Sequence, residues 1–214
     1  MRNELAFADS EALEDLRTYV TRARALDPAG AIRLQSHGTV LAVYVGALPG
    51  HGLMATGAVI GLRVIALAEA TPGDEDMDVD VTVSLVSVSE RLARDRISSL
   101  AIPPTTVRVG WAAISPPRSG WEPVGTLSVA DLKTVALHGI AEIAQNAPEG
   151  SGAHVVAALR QQVWARDART TPPIPSGAAF AAYALGFLTQ ERARVLAHGR
   201  WTRLSTATGH VLVC

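Results

Sequence analysis

Only one of the 214 residues is cysteine, Cys214, and only one is lysine, Lys133. A single thiol cannot close an intramolecular disulfide or supply a multi-cysteine zinc or iron–sulfur site. It suits a reducing compartment, so a cytoplasmic location is expected. Charge is also scarce. Charged residues make up 18% of the chain and hydrophobic residues 48%. That composition excludes the disordered class and implies a globule with a large core. Aromatics are only 5%, so the core is mainly aliphatic. A net charge of −1 leaves no global field to draw the chain to nucleic acid or anionic lipid. With lysine nearly absent, arginine is the default cation.

Several motifs are missing as well. No GxxxxGK[ST] phosphate loop, GxSxG nucleophile turn or HExxH zinc helix occurs. Cys214 lacks the framed surroundings of a nucleophile. The N-terminus has no apolar leader core, so no signal peptide is expected. The longest uncharged stretch, Thr39 to Leu62, has the length of a membrane span. Pro49, Gly50, His51 and Gly52 break it in the middle. Two buried strands joined by a turn explain it better, and no membrane segment is expected.

The periodicities that are present define an α+β chain. Leu13, Leu16, Val20, Ala23 and Leu26 follow helical spacing behind a cap at Ser10. Residues 31–35 and 39–45 flank Ser36-His37-Gly38 as a hairpin. A third strand is expected within 57–70. A fourth follows the acidic loop 69–80, where Val79, Val81, Val83 and Leu85 alternate with polar residues. Ser89 then caps a short helix that ends before Pro103-Pro104, and 105–114 reads as a fifth strand. Helices are expected from Ser128, with Asp131 in the capping box, and from Ser151. Further helices are expected over 178–188 and 189–199, followed by a terminal hairpin. No internal repeat is visible. The expected organisation is a mainly antiparallel, strand-rich half over 1–114, with the N-terminal helix against it. A Pro/Gly-rich connection follows over 115–125. The helical half with its terminal hairpin spans 126–214. One single domain is the alternative.

The connection, "SPPRSGWEPVG", holds three prolines that resist slack. It also carries Arg118 and Trp121, residue types favoured at interaction hot spots. In the helical half, Ala178, Ala182 and Gly186 form a small-residue stripe at four-residue spacing. Such a stripe packs in the core or meets a second copy. These features give the leading reading: a non-enzymatic binding or scaffold protein that self-associates, most simply as a dimer, and takes a protein partner.

Two other classes stand beside it. Between Arg160 and Arg203 there are seven arginines against two acids, Asp167 and Glu191. The order helix, turn, basic helix, hairpin resembles a winged helix-turn-helix DNA reader. It would use Arg192, Arg194, Arg200 and Arg203. Arg192 falls where such motifs pack an apolar residue, which departs from the pattern. The third class is a nucleotide-binding protein or enzyme. Its site would be the Gly50–Gly57 turn, where Gly50-x-Gly52-x-x-Ala55 follows a strand and His51 is at hand. A metal site from His138, Glu142 and His154 is outweighed by an exposed His–Glu pair one helical turn apart. No metal or cofactor is expected, and no catalytic residue stands out.

Overall fold

In the computed structural model, which describes residues 4–50, 52, 55–69, 78–94, 99–147 and 152–214, the chain divides into two units. The first comprises Met1–Ala47 and Leu62–Ala113; the second comprises Leu48–Gly61 and Ile114–Cys214. His51, Ser151, most of the acidic loop and part of the Gly50–Gly57 turn lie outside the described residues. The mixed α+β class read from the sequence holds.

The first unit opens with β1 (Glu4–Ala6) and α1 (Ser10–Leu26). Leu13, Leu16, Tyr19, Val20 and Ala23 form the buried face of α1, as the spacing requires. The cap is Asp9, one residue before the expected Ser10. Its carboxylate accepts the Ala12 N–H at 2.7 Å, a bond that satisfies one of the helix's orphan donors. Burial pushes the Tyr19 phenol well above its usual pKa, so it stays neutral.

The antiparallel strands β2 (Ala31–His37), β3 (Val40–Leu48), β4 (Val59–Ala66) and β5 (Asp80–Ser84) follow. Their order in the sheet is β5-β2-β3-β4. Gly38, at φ +54, makes the β2–β3 turn. Arg63 of β4 grips Asp15 of α1 with its Nε 2.7 Å from the carboxylate. Arg33 of β2 makes a forked pair with Asp80 of β5, both bonds 2.7 Å.

Three expectations fail in this unit. The strand expected to run on to Val88 stops at Ser84, and α2 (Leu85–Arg94) begins four residues before Ser89. Leu85 belongs to two patterns at once. It ends the alternation from Val79, and it starts the helical stripe Leu85, Val88, Leu92. The helical stripe prevails. Nor do residues 105–114 form a strand. Thr106 makes only an isolated bridge to Val83, and Gly110–Ala113 is a 3₁₀ turn. The helix expected to reach Pro103-Pro104 ends at Arg94, and Ser99–Ala101 forms β6, which pairs with β1, antiparallel. Strands of three residues leave too little pattern to read.

The second unit contains β7 (Glu122–Ser128), α3 (Val129–Asn146), α4 (Ala153–Ala165) and α5 (Ser176–Ala184), then β8 (Arg192–His198), β9 (Trp201–Thr206) and β10 (Gly209–Val213). Its strands run in the order β10-β9-β8-β7. Ser128 caps α3 as expected, accepting from the Ala130 N–H at 3.2 Å. Helix α5 is apolar all round and buried from Gly177 to Ala182, between α3 and β10, as a core helix must be. The segment 57–58 completes this unit beside the chain end. Gly57 N–H donates to the Cys214 carbonyl, and Cys214 N–H to that of Ala58.

A further correction concerns 192–198, expected as a helix and found as β8. Ala193 and Val195 are buried while Arg192, Arg194 and His198 are exposed. That is a period of two, and it outweighs the helical propensity of alanine, leucine and arginine.

An order of elements recurs that the sequence does not show. β1-α1-β2-β3-β4 is strand, long helix, three antiparallel strands. β7-α3-β8-β9-β10 is the same, with α4 and α5 inserted after the long helix.

Candidate functional site

Strand register decides which arginines stand together. In the antiparallel ladder, Arg192 faces Ser128, Arg194 lies between Thr126 and Ser205, and Arg203 faces Leu196. Directly paired residues share a sheet face, and so do residues two apart. Arg192, Arg194 and Arg203 therefore project from one face of the β7–β8–β9 sheet. Arg200 sits in the β8–β9 turn with its guanidinium 5.9 Å from the centre of the Trp201 ring. No ion pair among the described residues involves Arg192, Arg194 or Arg200, so their charge faces outward unneutralised. Three of the four arginines singled out in the sequence, Arg192, Arg194 and Arg203, thus share a sheet face, while Arg200 stands in the turn at the far end of β8 from Arg192. A sheet and its turn present them, and the segment expected as a recognition helix is strand β8.

Arg203 links this face to the connection. Its Nε donates to Ser205 Oγ at 2.9 Å, and its guanidinium lies 5.6 Å from the centre of the Trp121 ring. The His198 ring also meets Trp121, edge-on, with ring centres 6.0 Å apart. The indole N–H donates to the Pro117 carbonyl at 3.0 Å, and His198 Nδ1 is 2.8 Å from the Gly120 carbonyl oxygen. Gly120 adopts φ +76, with His198 where a side chain would begin. The connection is therefore folded against the β8–β9 hairpin by its tryptophan, and Glu122–Gly125 is already strand. Arg118 stays exposed, without a hydrogen bond or ion pair among the described residues.

The other sequence candidates are placed differently. Ala178 and Ala182 are 0% and 1% exposed and pack inside the second unit under α3. Gly186 follows the helix at φ +74, where its N–H closes the helix end on the Tyr183 carbonyl. The stripe is used for packing within the unit, which puts both alanines out of a partner's reach. In the Gly50–Gly57 turn, a side chain on Gly50 would collide with the backbone of Ala55. The N–H groups of Gly57 and Ala58 are taken by Cys214 and Ala55, not held open for a phosphate. Glu142 is bound by Arg166 at 2.7 and 3.3 Å, not by His138. Among the described residues no three His, Cys, Asp or Glu side chains cluster as a metal site. Among them too, no helix is long and apolar enough to cross a membrane.

The Trp121–His198–Arg203 cluster is not visible in the sequence, because its members come from three segments brought together by the sheet. The alternation over 192–198 was the available clue to the arginine face.

Comparison with known proteins adds the following. No curated protein matches the sequence. Among solved structures, the fold is similar to the DNA polymerase sliding clamp of Caulobacter crescentus, with a TM-score of 0.54 and 9% identity over 98% of this chain. It is similar to the DNA polymerase III subunit beta of Pseudomonas aeruginosa, with a TM-score of 0.51 and 9% identity over 94% of this chain. The Helicobacter pylori beta clamp in complex with carprofen gives 0.52 and 10% over 98%. The chain spans 64%, 62% and 63% of those proteins' lengths. At such identity the likeness is one of fold. Residues 116–214 match the family described as Domain of unknown function (DUF8185). Residues 1–113 match Domain of unknown function (DUF8010), and because that match covers more than half of the 214 residues, the chain belongs to the DUF8010 family.

Proposed function

We propose that the protein is a non-enzymatic, self-associating scaffold that acts on DNA. The observation that carries this reading is the fold likeness to DNA polymerase sliding clamps over 98% of the chain. The face bearing Arg192, Arg194 and Arg203 supports it, because guanidiniums on one sheet face suit phosphate contacts that do not depend on base sequence. Self-association uses a surface other than the buried α5 stripe. The connection, with exposed Arg118, is the surface for a protein partner.

Native mass spectrometry with and without a short DNA duplex tests the reading. The expected result is a multiple of the 22.5 kDa chain mass and duplex binding that falls steeply with salt. Replacing Arg194 and Arg203 with glutamine should weaken binding and flatten its salt dependence by about one counterion per arginine lost. A monomer indifferent to duplex at low salt overturns the proposal.

A further inference from the structure

A cleft of about 500 Å³ opens in the second unit at the start of α3. Thr126 and Ser128 of β7, Asp131 and Thr134 of α3, Arg169 and Arg192 are on its walls. Its size is that of a small-molecule site. The hydrogen-bonding inventory is lopsided. Arg169 has no hydrogen bond or ion pair among the described residues. Arg192 spends one N–H on the Thr126 hydroxyl oxygen, which leaves that hydroxyl's own proton to give. Ser128 Oγ accepts from the Ala130 N–H, so its proton is also to give. Thr134 is occupied in donating to the Ala130 carbonyl. Against these donors stands one ionisable acceptor, the Asp131 carboxylate, likewise without a partner among the described residues.

We propose that this cleft binds a small phosphate monoester, its phosphate held between Arg169 and Arg192 and a hydroxyl of the same molecule donating to Asp131. Two guanidiniums match a dianion in charge and fork geometry. Arginine has no acceptor and a phosphate oxygen no donor, so the pairing is complementary. Asp131 would repel a bare anion, and its presence favours a ligand that carries donors beside the phosphate. The cleft shares Arg192 with the arginine face, but Arg169 and Asp131 lie outside that face, so tests made at these two residues separate this proposal from the DNA reading.

Isothermal titration with glycerol 3-phosphate, inorganic phosphate and a dithymidine phosphodiester is the test. Saturable binding of glycerol 3-phosphate is expected, weakened about tenfold or more in Arg169→Gln and unchanged in Lys133→Gln. Asp131→Asn should abolish the advantage of glycerol 3-phosphate over inorganic phosphate. Arg169 is exposed, so its variant folds, and an unchanged melting curve verifies that. No saturable heat, or binding indifferent to Arg169→Gln, overturns the proposal. Equal binding of the phosphodiester also overturns it, since the cleft would then be a contact for a nucleic-acid backbone.

Discussion

Gly139 stands in the middle of α3, where glycine costs about 1 kcal/mol relative to alanine. Packing explains its presence. A side chain there would drive into the ring of Trp164, which is stacked on Phe180 at a ring separation of 4.3 Å and cannot swing aside. Gly139→Ala is therefore expected to destabilise by about 1–3 kcal/mol despite its better helix propensity. A lower urea midpoint with an unchanged slope verifies this. The helix around Gly139 was legible from its cap and spacing, but the need for glycine was not, because it arises from a contact with α4. Trp121 teaches the same lesson. Its type marks it for recognition, yet Arg203 and His198 of its own unit already pack against its ring.

At the level of elements, β8 separates local preference from periodicity. Its composition suits a helix, while the alternation of Arg192, Arg194 and His198 with Ala193 and Val195 suits a strand. Neighbours on a strand face opposite ways, so adjacent substitutions should differ sharply. Ala193→Glu puts an unpaired charge on the buried face and should cost about 3 kcal/mol or more. Arg194→Glu should leave stability within about 0.5 kcal/mol. Thermal melts of the two variants side by side decide it. Helices α1 and α3 and the β2–β3 hairpin were legible because each combines a long pattern with a cap or a turn glycine. The β1–β6 pair was not, because three-residue strands carry almost no pattern. The start of α2 was misread because Leu85 satisfies both periods. The arginine face inherits this history: its residues were identifiable from local charge, and its geometry only from register.

Across the whole molecule, the family matches and the units do not divide the chain in the same way. The two matches meet near residue 114, whereas the second unit takes Leu48–Gly61 from within the first match. That borrowed segment brings the Gly57 N–H and the Ala58 carbonyl that bond the backbone of Cys214. The two stretches of sequence are therefore expected to depend on each other for folding. Residues 116–214 produced alone should be poorly soluble, with the apolar strand β10 short of its neighbour. Co-production with residues 1–113 should rescue them, as judged by recovery of a soluble pair. The chain would then behave as a natural split protein. Either half could report on the presence of the other, and a chain interrupted within the connection would retain its fold as long as both pieces were made together.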